Sequence, residues 1–228
     1  MDKAIVFIVE GATDKKALEN IFRKIYRHKE IHFEFTHGDV TSDENINTGN
    51  VEDEIYQYVE IYRKYKKLKK SDIIQIVHIF DTDGTYIDES HIVPGETKEL
   101  YYTTENILCK DTEKVKRRNA HKKELMDYLL NQQTIKGISY RCFYLSSNLD
   151  HALYNRLNLS DEEKSELAYA FYEFFLDREN TFIKFLETEV VNGVPTNFSA
   201  SWTYIKEDLH SLERHTNLNL YFKEHPLF

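Results

Sequence analysis

Five acidic side chains stand where the chain passes from apolar to polar sequence, and their spacing points to chemistry on a phosphate. Glu10 ends the run KAIVFIV (residues 3 to 9) and precedes Gly11. Asp81 and Asp83 end a second run, DIIQIVHIF (72 to 80), Asp14 lies four positions after Glu10, and Asp150 follows the run SYRCFYL (139 to 145). An acid placed directly after an apolar strand has no packing role. Carboxylates gathered without compensation repel and raise one another's pKa, and divalent cations resolve that conflict. An all-oxygen site suits Mg²⁺ or Mn²⁺. Such ions hold a scissile phosphate, generate a nucleophilic hydroxide and stabilise the leaving oxygen. Two of the five acids have an equally simple structural reading: Asp14 suits the cap of a helix beginning beside it, and Asp150 suits the start of a helix over 150 to 157.

The elements that must carry these acids follow from periodicity. Residues 3 to 9 read as a strand. Ala17, Leu18, Ile21, Phe22 and Ile25 then recur at helical spacing, residues 31 to 36 alternate like a strand, and 37 to 50 form a polar loop. Val51, Ile55, Tyr58, Val59 and Tyr62 make one stripe of a helix whose C-terminal end is basic, where the helix dipole favours cations. The nearly continuous apolar run 72 to 80 predicts a central parallel strand covered on both faces. An irregular stretch around Pro94 and Gly95, a basic helix over 113 to 131 and a strand over 139 to 145 complete this half. Strands alternating with helices predict an α/β fold with right-handed crossovers and a mainly parallel sheet, whose ligands gather beyond the carboxyl ends of the strands. Past Asp150 the pattern is helical over 161 to 176, 178 to 190 and about 201 to 213, where Trp202, Ile205 and Leu209 share a face. This tail is expected to pack on the core.

Composition narrows the class. The chain has 228 residues, 30% of them charged, with Gly 7, Pro 3, Tyr 16 and Phe 14. That describes a helix-rich globule long enough to bury a core and argues against disorder. No stretch is apolar enough to span a membrane, and the start of the chain lacks a leader pattern, so a cytoplasmic protein is expected. Cys109 and Cys142 lack metal-ligand spacing and are read as buried thiols. A net charge of -9 excludes a general nucleic-acid-coating role. Two basic runs stand out locally: Arg63, Lys64, Lys66, Lys67, Lys69 and Lys70, then Lys114, Lys116, Arg117, Arg118, Lys122 and Lys123. Each reads as a solvated helix face. Beside a phosphate-handling site, Lys66, Lys67, Lys116, Arg117 and Arg118 become candidate nucleic-acid contacts.

The strings IVFIVEGATD and IVHIFDTDG, with their acids about seventy residues apart, resemble the toprim domain of topoisomerases, primases and small nucleases. Asp14 after Glu-Gly, and the pair Leu149-Asp150 after a later strand, are similar to the overcoming-lysogenization-defect branch of that family. The resemblance covers about residues 1 to 155 and implies a Rossmann-like catalytic core, with 156 to 228 as a helical C-terminal region. It implies that Glu10 is a metal ligand or general acid/base, that Asp81 and Asp83 are metal ligands, and that Asp14 and Asp150 bind a second ion. Related nucleases also use a lysine beyond the acidic motifs, for which Lys206 in SWTYIKEDL is the candidate. The chain lacks the tyrosine-bearing, gate and zinc modules of topoisomerases and primases. The implied activity is therefore phosphodiester hydrolysis in DNA or RNA, of the kind found in effectors of bacterial defence against phage. Some of those effectors work with a separate ATPase.

The string IFDTDGTYID also resembles the first motif of haloacid-dehalogenase phosphatases, with Asp81 as nucleophile, Asp83 as acid/base and Ser146 imitating the second motif. That reading leaves Glu10 without a role and finds no later Gly-Asp cluster for Mg²⁺. A third reading is a non-catalytic binding module. His151 is read as an ordinary histidine or a phosphate contact. Tyr169, Phe171, Tyr172, Phe174 and Phe175 either pack the tail onto the core or serve self-association or an inhibitory partner.

Overall fold

A computed structural model describes residues 3–26, 31–97 and 99–225. Its main sheet has the order β2-β1-β3-β8-β7, built from β1 (Lys3–Val9), β2 (Ile31–His37), β3 (Ile73–Asp81), β7 (Thr134–Ile135) and β8 (Ile138–Leu145). The first four of these in space are parallel, and β7 closes the edge as an antiparallel partner of β8. The fold is thus mixed α/β with a mainly parallel sheet.

Two-residue periodicity sorts the strands onto two cores. Ile5, Phe7 and Val9 of β1, Val77 and Ile79 of β3, and Phe143 and Leu145 of β8 face one side. Ala4, Val6 and Ile8, then Ile76 and Phe80, then Tyr140, Cys142 and Tyr144 face the other. Helix α1 (Ala12–Ile25) covers the first side, joined by α4 (Leu149–Tyr154), α5 (Asp161–Phe175), α6 (Glu179–Phe185) and α8 (Asn219–Glu224). Helices α2 (Val51–Tyr65), α3 (Thr112–Leu130) and α7 (Phe198–Ile205) cover the second. Both faces of the sheet being covered is what makes its central strands apolar throughout.

The tail's aromatics enter this core. Phe182 and Phe222 pack with Phe22, Phe171 and Phe175 pack on Phe182, and Tyr221 meets Phe7 edge-on at 5.2 Å. Tyr169 and Phe174 remain exposed. Both cysteines are buried and unpaired.

Three expectations change. The stretch around Pro94 is not irregular: β4 (Ile92–Pro94), β5 (Tyr101–Tyr102) and β6 (Ile107–Cys109) form a second, three-stranded sheet over a small core of its own. Helix α6 ends at Phe185, and Leu186–Val190 continues it with π-helical winding. The helix expected to reach residue 213 stops at Ile205, and residues 206 to 218 turn back along the end of β8. Leu209 and Leu212 there pack against the small sheet. No described helix is long and apolar enough to cross a membrane.

Candidate active site

The chain runs from β1 outward to β2, then returns across β1 to β3 and continues outward to β8. The switch point therefore lies between β1 and β3, where helices on opposite faces diverge and leave a crevice at the strand ends. Glu10 and Asp81 flank it. The Asp81 backbone N–H donates to Glu10 Oε1 at 3.2 Å.

The turn after β3 is tightly fastened. Thr82 donates its hydroxyl to the Ser211 carbonyl at 2.7 Å, and the Gly84 and Ser147 N–H groups reach the same oxygen. The Asp83 N–H donates to the Ser147 carbonyl at 2.6 Å, with Asp83 in the left-handed region at φ 49°. Aspartate tolerates that conformation better than most residues. Gly84 follows at φ 64°, where a Cβ would come within 2.6 Å of Leu212. The DTDG sequence is thus a turn shape as well as a pair of acids.

At the centre lies Lys122. Its ammonium donates to Glu10 at 3.0 and 3.1 Å and to Asp83 at 2.6 Å, and its side chain is fully buried. Burial works against its charge, but Asp83 and Glu10 outweigh that and hold it protonated more firmly than an ordinary lysine. Arg118, one turn earlier on α3, donates to the Asp83 carbonyl at 3.1 Å and to the Tyr102 hydroxyl at 2.9 Å. Thr41 donates to Glu10 at 3.2 Å, and Asp39 adds negative charge near Glu10 from the end of β2.

One ammonium does not balance this many acids. Burial presses Asp83 upward, yet Lys122 and Arg118 outweigh it and hold its carboxyl below the usual range. Glu10 goes the other way: burial pushes it up to about 8 against the pull of Lys122. Asp81 is raised well above an ordinary aspartate, first by burial and then by Asp14, Glu10 and Asp83. Among the described residues no group donates a hydrogen bond to its side chain. Asp14 is raised by burial, and Asp150 is raised by burial to about 6 despite Lys164 at 3.8 Å.

The structure shows how Asp14 and Asp150 sit in their helices. Asp14 does cap: its Oδ2 accepts the Gly11 N–H at 2.8 Å, a closure that a Cβ on residue 11 would obstruct. It also presses electrostatically on Asp81 and Asp150, so the cap belongs to the acidic cluster. Asp150 is not the cap of α4; Asn148 is, accepting the His151 N–H at 2.9 Å. Asp150 lies in the first turn and lines a cavity of about 470 Å³ with Tyr102, Asn148 and Lys164. A neighbouring cavity of about 600 Å³ is lined by Lys110, Lys114 and Arg118, and both cavities border Glu99 and Leu100.

Other expected residues lie elsewhere. Lys206 pairs with Asp127 at 2.6 Å and sits over the Tyr86 ring; Lys122 is the lysine that meets the acids. Lys66 and Lys67 follow the end of α2 and precede the start of β3. They stand near the opposite rim of the sheet, roughly 26 Å of strand away from Asp81. Lys116 is engaged by Glu113 at 2.8 Å and Glu89 at 3.6 Å, while Arg117 is exposed. Arg118 braces Asp83 from a partly buried position. His151 is buried, and burial lowers it to about 4, as suits an ordinary core histidine. Ser146 is buried and donates its hydroxyl to the His210 carbonyl at 2.6 Å, which leaves it unsuited to binding a phosphate.

Lys122 and Asp39 were missed, and each had a signal. Val115, Asn119, Lys122, Met126 and Leu129 share helical spacing, so periodicity alone set Lys122 on the buried face of a helix read as basic outside. Asp39 stands just past a parallel strand, as the other acids do.

The donor set fits divalent cations. Asp81, Asp14 and Asp150 are oxygen donors in electrostatic contact, Asp14 pressing on both of the others. Among the described residues, no three of these acids bring ligand atoms mutually within 4.8 Å. Magnesium commonly takes only one or two carboxylates and retains water, so this spread is no obstacle. No protein-family model, no curated protein sequence and no solved structure matches this chain.

Proposed function

We propose that the chain is a metal-dependent nuclease, hydrolysing phosphodiester bonds in DNA or RNA at the rim where β1, β3 and β8 end. The observation that carries this reading is the convergence of Glu10, Asp14, Asp81, Asp83 and Asp150 from distant parts of the chain, with Asp81 raised by burial and then by its acidic neighbours. Carboxylates gathered in this way are suited to binding cations. Asp81 with Asp14, and Asp150 beside them, would hold the ions. When bound, Mg²⁺ or Mn²⁺ supplies polarisation of the phosphate and activation of water.

The protein's own groups divide the remaining work. Lys122, buried beneath the acids, keeps Asp83 ionised and holds Glu10 and Asp83 in place. Glu10, with its proton affinity raised close to neutrality, can take a proton from water or return one to the leaving oxygen at working pH. Lys110, Lys114 and Lys164, lining the two flanking cavities, offer cations to the nucleic-acid backbone.

The test is incubation of the protein with plasmid, single-stranded DNA and total tRNA in Mg²⁺ or Mn²⁺, comparing wild type with Glu10→Ala and Asp81→Ala. Loss of one defined cleavage in both variants supports the proposal. Turnover only of a small phosphomonoester, surviving Glu10→Ala, would transfer the reading to a phosphatase with Asp81 as nucleophile.

A further inference from the structure

The turning segment 206 to 218 contains a second constellation that the acidic site does not use. His210, Glu213 and His215 each present a ligand atom, and all three atoms lie within 4.8 Å of one another. Glu213 Oε2 is 3.1 Å from His215 Nε2. Ligand atoms around a tetrahedral zinc ion are about 3.4 Å apart, so small side-chain rotations bring these donors to an ion.

One of the two histidines already holds the tautomer that a metal needs. His210 Nδ1 donates to the Tyr204 carbonyl at 2.7 Å, which leaves Nε2 with the lone pair. A backbone carbonyl on the far nitrogen is the usual support of a metal-ligating histidine. Tyr204 also stacks on His210 at 3.8 Å between centroids, fixing the ring plane, and its hydroxyl lies 3.5 Å from His215 Nε2. His215 is 2% exposed, and its Nε2 donates to Glu213 Oε2 at 3.1 Å, so an ion binding between them displaces that proton.

We propose that His210, Glu213 and His215 form a second metal site, separate from the acids, for a zinc-class divalent ion with two nitrogen donors, one oxygen donor and an open fourth position. Softer nitrogen donors distinguish it from the all-oxygen cluster, which suits magnesium. The site lies within a stretch lacking regular secondary structure, where a metal replaces missing backbone order. It also brackets Ser211, whose carbonyl holds Thr82, Gly84 and Ser147 in place. Filling the site therefore braces the turn that carries Asp83.

The test uses chelator-treated full-length protein titrated with Zn²⁺ by calorimetry and with Co²⁺ by visible absorption. Wild type is expected to bind one equivalent at this site, give the intense d–d bands of low-coordinate cobalt and gain thermal stability. His210→Asn and Glu213→Gln change partly exposed side chains, and their folding is checked by circular dichroism. Each should weaken Zn²⁺ binding by at least about 100-fold, beyond the loss typical of a supporting residue, while Asp81→Asn retains it. Absence of saturable binding, binding unchanged in both histidine-site variants, or binding lost in Asp81→Asn would overturn the proposal. Because the readout is binding and stability, it succeeds or fails independently of nuclease activity.

Discussion

Lys122 approaches Asp83 to 2.6 Å from the middle of a helix that begins some thirty residues after the DTDG turn, and no part of its side chain reaches solvent. A buried ammonium is stable only when paired. Here the pairing fixes which acid is charged: Asp83 carries the negative charge, while Glu10 and Asp81 hold protons more strongly than free carboxyls do.

Removing that ammonium strands two buried acids. Lys122→Met is expected to lower stability by about 3–5 kcal/mol, the cost typical of breaking a buried pair. Mg²⁺ should recover more stability in this variant than in wild type, because the vacated charge is then supplied by the ion. Denaturant unfolding with and without Mg²⁺ checks this, and an equal Mg²⁺ response in both proteins would count against it.

Asp81 is expected to trade stability for function. In chelator at pH 8, Asp81→Asn should unfold at a higher temperature than wild type because it removes one of several mutually repelling charges. The same variant, and Glu10→Gln, should lose at least about 100-fold in Mg²⁺-dependent cleavage. An Asp81→Asn protein that is both less stable and fully active would contradict this account.

Stability should depend on pH in a direction set by these shifts. Asp150 is raised from 3.8 to about 6 and Glu10 from 4.5 to about 8. The folded state binds their protons more tightly than the unfolded state does. Their contribution is therefore complete below about pH 4 and is lost as pH rises through about 6 and then about 8. Asp83, held low, contributes oppositely and loses its stabilisation only as pH falls below the ordinary aspartate range. Melting temperatures in chelator and in Mg²⁺ should consequently diverge between pH 5 and pH 8, with Mg²⁺ giving the larger gain at pH 8. A gain that shrinks with pH would be the wrong sign.

Basic residues should separate by rim. Lys110→Ala and Lys114→Ala, beside the cavity at Arg118, should weaken nucleic-acid binding and each reduce the salt slope by about 1. Lys66→Ala and Lys67→Ala, at the far rim, should leave it unchanged. Lys206→Ala should cost about 0.2–1 kcal/mol through its part-exposed pair with Asp127 and leave cleavage intact. Binding curves at several salt concentrations distinguish these outcomes.

Gly84 is constrained twice, by φ 64° and by Leu212 at 2.6 Å from any added Cβ. Gly84→Ala should cost about 1–3 kcal/mol and disturb the turn holding Asp83. A fully active, equally stable alanine variant, compared by melting and cleavage assays, would remove that turn from the argument.

The sequence by itself determined the long strands of the main sheet and which acids end them, but not the short strands β4 to β7. Apolar runs such as KAIVFIV and DIIQIVHIF have one low-energy use, burial in a sheet covered on both faces, and the first polar residue after each must emerge at its carboxyl end. It also held the helical spacing that buries Lys122. Strand order was decided only in three dimensions, because the return of the chain across β1 to β3 depends on how two helices share opposite faces of the sheet. That order creates the crevice joining Glu10 to Asp81. Tertiary packing likewise ended α7 at Ile205 and turned the following residues along β8, since backbone groups at the end of β8 found partners in Thr216 and Asn217 that a continued helix would not supply. The lysine that meets the acids was for the same reason not Lys206: reach across a folded core, rather than position along the chain, chose Lys122.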